Sequence, residues 1–148
     1  MVLRKKITLG LVATFIVIQF VQPARNRSRQ VLPTDISKTM AMPGNIQAIL
    51  QNACYDCHSN NTRYPWYSFI QPLGWWLNSH IEEGKQNLNF SDFGSYSTKK
   101  QRSKFREIAT SINEGSMPLF AYTLLHQPAR LTTADKTMLL QWSQTLSK

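Results

Sequence analysis

A chain of 148 residues has room for one domain of ordinary size, and its formal charge of +9 would point to a phosphate backbone or an acidic surface if it were spread over the folded part. It is not: Arg4, Lys5, Lys6, Arg25, Arg27 and Arg29 flank an apolar leader, which leaves eleven of the seventeen basic residues against eight acidic ones from Gln30 onward. So small an excess sets nucleic acid aside as a partner, and two cysteines in the whole chain exclude a disulfide framework.

Residues 7–21 read ITLGLVATFIVIQFV, an uncharged run behind Arg4-Lys5-Lys6, which matches the charged and apolar regions of an export signal. A spanning helix needs about 20 apolar residues, and the run approaches that length if Gln22 and Pro23 lie in the interface. Gln22 stands where an A-x-A cleavage site ending at Ala24 would need a small residue. The expectation is therefore an uncleaved anchor: a transmembrane helix within residues 1–24 that holds the chain in a bacterial inner membrane, with the rest facing the periplasm. Arg25, Arg27 and Arg29 on the far side oppose the usual excess of positive charge inside, so charge alone does not orient it. Residues 25–43, with Asn26, Ser28, Pro33, Thr34, Asp35, Ser37 and Pro43 and little apolar periodicity, read as a linker to a body over 44–148.

From Asn45 to Cys54 the apolar residues Ile46, Ile49, Leu50 and Ala53 recur at three- and four-residue spacing, which predicts a short helix running into Cys54. Residues 59–74 read as a loop, because Asn60, Asn61, Pro65 and Pro72 interrupt any helix while Tyr64, Trp66, Tyr67 and Phe69 supply bulk. Next come a helix over 75–84 ended by Gly84, an irregular stretch over 87–96 anchored by Phe90 and Phe93, and a helix from an N-cap at Ser97 to Asn113. Phe105, Ile108 and Ile112 share one face of that last helix, and Gly115 stops it. Thr132 with Asp135 predicts a capped helix over 133–147, striped by Met138, Leu139, Trp142 and Leu146. Strand signals are absent, so the body is expected to be all-α with long loops. If its first and last helices cross, Trp142 should be buried against Ile46, Ile49 and Leu50.

The chemistry concentrates in Cys54-Tyr55-Asp56-Cys57-His58. Two thiols about one helical turn apart match the two vinyl groups of a porphyrin, and a histidine directly after the second thiol can reach the iron from the same side. Cys54 and Cys57 are thus the expected thioether attachments of one haem c per chain, and His58 the proximal ligand of its iron. Zinc would need two more cysteine or histidine ligands close by, whereas His80 and His126 are isolated in the sequence. A dithiol redox centre would be expected beside a βαβ unit, and no strand is predicted. For the second axial position Met117 stands out, because Gly115-Ser116-Met117-Pro118 presents its thioether from a rigid turn rather than a helix face. His80 and His126 are the alternatives, and Arg63 and Arg130 the candidates to neutralise the propionates.

The order helix, Cys-x-x-Cys-His, long loop, Met-Pro, terminal helix resembles a class I cytochrome c over residues 44–148. More closely, CYDCHSNNTRYPWYSFIQPLGWWLN, EEGKQNLNFSDF and GSMPLFAYTLLH resemble the bacterial haem-binding domain family, often found behind an N-terminal membrane segment. That resemblance implies Cys54, Cys57 and His58 as the haem site and Met117 as the distal ligand, in a cytochrome c-like helical domain. The expected activity is one-electron transfer with an unnamed redox partner, since no carboxylate pair or nucleophile arrangement points to catalysis. A haem-based sensor or gas-binding module, or a peroxidase-like enzyme using His80 or His126, is the alternative.

Overall fold

Local signals for helix starts and stops largely decide where the chain turns. In the computed structural model, which describes residues 2–148, eight α-helices form: α1 (Val2–Ile18), α2 (Ile36–Thr39), α3 (Gly44–Ala53), α4 (Tyr55–His58), α5 (Leu73–Asn87), α6 (Thr98–Glu114), α7 (Phe120–Leu125) and α8 (Thr133–Leu146). Three 3₁₀ turns lie at Trp66–Phe69, Phe90–Ser95 and Gln127–Ala129. Among the described residues no strand forms, and one isolated antiparallel bridge joins Arg27 to Asn61. The Ser97 side chain caps α6 by accepting from the Lys100 amide, and Gly115, in the left-handed conformation at φ 69°, ends it. At α8 the capping box is complete: Thr132 Oγ1 accepts from the Asp135 amide at 3.1 Å, and Asp135 Oδ2 accepts from the Thr132 amide at 2.9 Å.

One main core gathers Ile46 and Leu50 of α3, Phe105 and Ile112 of α6, Leu139 of α8, and Leu88, Phe90 and Phe93 from the segment between α5 and α6. Each such side chain, fully buried, contributes about 1.5–3 kcal/mol. Helix α8 packs mainly along α6 and touches α3 over a smaller area. Trp142 is accordingly half-buried on the main core, with its ring edge-on to Phe105 at 5.2 Å and 86°. The crossing of α3 and α8 is thus the lesser contact, and α6 is the principal partner of the last helix.

The leader differs from its expected form. Helix α1 has 17 residues, which at 1.5 Å per residue span about 25 Å, against a hydrocarbon thickness of about 30 Å. Its first turns carry Arg4, Lys5 and Lys6, so the apolar part is shorter still. Among the described residues no helix is long and apolar enough to cross a membrane. This overturns the expected N-terminal transmembrane helix and the inner-membrane placement, with the haem domain facing the periplasm, that rested on it, and it leaves the membrane without support as a partner through that helix. The physical reason lies in the residues after Ile18, which the run needed for its length. Gln19 Oε1 accepts from the Gln71 amide at 2.8 Å, Gln22 Oε1 accepts from Gln71 Nε2 at 3.0 Å, and Trp75 Nε1 donates to the Val21 carbonyl at 2.7 Å. The end of the leader is hydrogen-bonded onto the body.

Residues 25–43 have the composition of a linker but lie on the body. Ile36 is fully buried in the main core, and Asn26 Nδ2 donates to the Ser59 carbonyl and to Thr62 Oγ1 at 2.8 and 2.9 Å. Arg25 places its guanidinium over the Tyr64 and Phe69 rings and donates to Ser68 Oγ. A single Ile without periodic neighbours carries no sequence signal of burial, because its partners come from elsewhere in the chain.

Candidate haem-binding site

Helix α3 and the single turn α4 form nearly one run. Cys54 interrupts it at φ −127°, its amide still donating to the Leu50 carbonyl, and the amides of Cys57 and His58 both donate back to the Cys54 carbonyl. This turn brings both thiols and the His58 imidazole to one wall of a cavity of about 720 Å³, a volume in the range of cofactor sites, roughly 300–1,000 Å³. Leu50, Ala53, Leu88 and Phe90 give the lining its apolar character, and Met117, Pro118 and Leu119 line the same cavity.

His58 is held by its Nδ1 atom, which lies 3.0 Å from the Leu88 carbonyl oxygen. That contact selects the tautomer with hydrogen on Nδ1 and leaves the Nε2 lone pair to bind a metal. Burial, first among the causes, lowers the His58 pKa and keeps the ring neutral. Backbone hydrogen bonding to Leu88 and Gly84 opposes this, and the charge of Lys104 reinforces it. Burial likewise pushes the Cys54 thiol up to about 12, with Cys57 adding to the effect, and the Cys57 thiol up to about 11, with Asp56 adding. Reactive dithiol centres carry depressed values, so this environment argues against one. Among the described residues no three His, Cys, Asp or Glu side chains converge as a metal site.

The structure separates the candidates for the second axial position. Met117 follows the left-handed stop at Gly115, and its amide and that of Ser116 donate to the Ser111 carbonyl. It lines the same cavity as His58 and is 37 % exposed. His80, on α5, also lines the cavity, with its ring edge-on to Trp76 at 4.6 Å. His126 does not line it; its ring lies 4.0 Å from that of Tyr122 and 6.0 Å from that of Tyr67. Arg63 and Arg130 also face elsewhere, Arg63 pairing with Asp56 at 3.1 Å and Arg130 Nε donating to the Thr123 carbonyl.

Three positions packed on the turn over residues 54–58 were not singled out from the sequence. Helix α5 does not end at Gly84 but passes through it to Asn87, and Gly84 lies against the turn over residues 54–58: a Cβ there would meet the Cys57 carbonyl oxygen at 2.7 Å. Asp56, between the two cysteines, is buried and accepts from Tyr122 Oη at 2.6 Å and from the Arg63 amide at 3.0 Å. Tyr122 thereby clamps the turn over residues 54–58 from 66 residues away while lining the cavity. Burial and then the Asp56 carboxylate raise its pKa, so the hydroxyl stays a donor. A glycine within a helix and an acidic residue within Cys-x-x-Cys are visible signals, but the partner of each lies far along the chain.

The residues present fit a haem: a largely apolar cavity of suitable size lined by two thiols, by an imidazole tied through Nδ1 to the Leu88 carbonyl, and by the Met117 thioether. A family model described as haem-binding domain matches residues 13–145. The chain belongs to the haem-binding domain family. No match was found among curated proteins or among solved structures. The matched part of the haem-binding domain starts inside α1 and takes in residues 25–43, the segment that packs on the body.

Proposed function

We propose that the chain is a c-type cytochrome that carries one covalent haem and passes single electrons. The observation that carries this reading is the joint placement of Cys54, Cys57 and His58 on one cavity wall, with His58 Nδ1 tied to the Leu88 carbonyl. Bound haem supplies a ferric/ferrous couple. Each thiol adds its S–H across one vinyl C=C, sulfur to one carbon and hydrogen to the other, so attachment consumes no oxidant or reductant. His58 would hold the iron through Nε2 and Met117 through its thioether, a ligand that favours the reduced iron and raises the potential. Leu50, Leu88 and Phe90 would offer the porphyrin apolar contact surface.

A second reading, a sensor or gas-binding module, draws on the exposure of Met117 and its place on a turn outside any helix, from which a small molecule could displace it. The deciding experiment is a haem stain of the full chain, matured with a cytochrome c assembly system, after denaturing electrophoresis. Retained haem that is lost in the doubly substituted Cys54→Ser, Cys57→Ser chain is expected, whereas haem removed by denaturation from the unaltered chain would overturn covalent attachment. Rapid carbon monoxide binding by the unaltered ferrous protein would replace electron transfer with the sensor reading.

A further inference from the structure

The polar residues of α6 facing the cavity mark where the acidic edge of a haem would lie. Ser103, Arg106, Glu107, Thr110 and Ser111 all line it, and their three- and four-residue spacing forms one helical face. Phe105 and Ile112 of the same helix are buried in the main core, and Ile112 also borders the cavity, so the polar stripe continues from its apolar lining. Arg106 and Thr110 are exposed, so the stripe borders the mouth of the cavity rather than its floor. Glu107 adds little repulsion there, since its carboxylate pairs with Lys104 Nζ at 2.6 Å. Glu83 and Asn87 of α5 are further polar groups of the lining, and neither is a cation. The Arg106 guanidinium donates from Nη1 to the Ser147 carbonyl at 3.2 Å, a contact that uses one of its five donors.

Resting on the haem reading above, we propose that Arg106, with the hydroxyls of Ser103 and Thr110 beside it, holds the propionate carboxylates of the cofactor at the mouth of the cavity. A guanidinium matches a carboxylate bidentately, and hydroxyls at helical spacing supply further donors along the same edge. The cysteines tie the vinyl edge of the porphyrin to the attachment turn, and the two carboxylates leave from the edge away from the vinyl groups. The arginines that a sequence reading selects for this role, Arg63 and Arg130, are engaged on Asp56 and on the Thr123 carbonyl.

The test compares the full-length haem-loaded protein with Arg106→Gln, Arg106→Lys and Arg130→Gln, reading covalent haem on denaturing gels and the midpoint potential as a function of pH. Because attachment is through the cysteines, Arg106→Gln should retain its haem. Its midpoint should fall, since a removed cation favours the ferric state, and the limb on which the potential depends on propionate ionisation should move to higher pH. Arg106→Lys should stay close to the unaltered protein in both readouts, and Arg130→Gln should not differ from it. Haem retained in Arg106→Gln with midpoint and pH profile unchanged would overturn the proposal while leaving the haem reading intact, as would a shift in Arg130→Gln alone. An unaltered chain that takes up no haem overturns both. Arg106 is exposed, so the variants should fold, and circular dichroism checks that they do.

Discussion

Replacing Gly84 by alanine tests the attachment turn without touching a ligand. In an ordinary helix interior the change would stabilise by about 1 kcal/mol, because alanine loses less backbone freedom on folding. Here the new Cβ would stand 2.7 Å from the Cys57 carbonyl oxygen and 3.3 Å from its Cβ. The struck atom is backbone and cannot swing aside, so α5 and the attachment turn must part by several tenths of an ångström. Overpacking of this kind costs about 1–3 kcal/mol, and a backbone obstacle places it near the upper end. A net loss of about 2 kcal/mol is expected, read from urea unfolding as a lower midpoint with an unchanged slope. Gly44→Ala is the internal control, since a Cβ there meets nothing within 4 Å and should leave stability unchanged or slightly higher. Displacing Cys57 should also reduce the yield of covalent haem. A Gly84→Ala protein as stable as its parent, with full haem, would refute the close approach.

Tyr122→Phe removes the 2.6 Å hydrogen bond to Asp56 and should cost about 1.5–3 kcal/mol in urea unfolding, the range for a bond to a charged group, with no effect expected if the pair were incidental. Met117→Ala should lower the potential and admit carbon monoxide in the visible spectrum, and His80→Ala should do neither; the reverse pattern would make the site bis-histidine. Burial, opposed by Asp56 and aided by Arg63, lowers the His126 pKa from 6.5, so the folded chain binds that proton less readily than the unfolded one. Its stability is therefore full above pH 6.5 and declines as the pH falls below it, and the slope of melting temperature between pH 7 and 5 should be shallower in His126→Asn.

A haem-binding domain was legible in the sequence because Cys54, Cys57 and His58 are neighbours in the chain, so that signal needs no tertiary partner to be read. For the same reason the caps at Ser97 and Thr132 and the stop at Gly115 could be placed from a few residues each. The leader shows the opposite case. Its apolar length suggested a spanning helix, yet Gln19 and Gln22 were available to bond Gln71, some 50 residues on, and only the folded body presents those partners. Ile36 enters the core, Gly84 admits the attachment turn, Asp56 meets Tyr122 and Arg106 borders the cavity for the same reason. Burial and hydrogen bonding between distant segments depend on how helices pack, and helical periodicity records which face is apolar without recording what that face will meet.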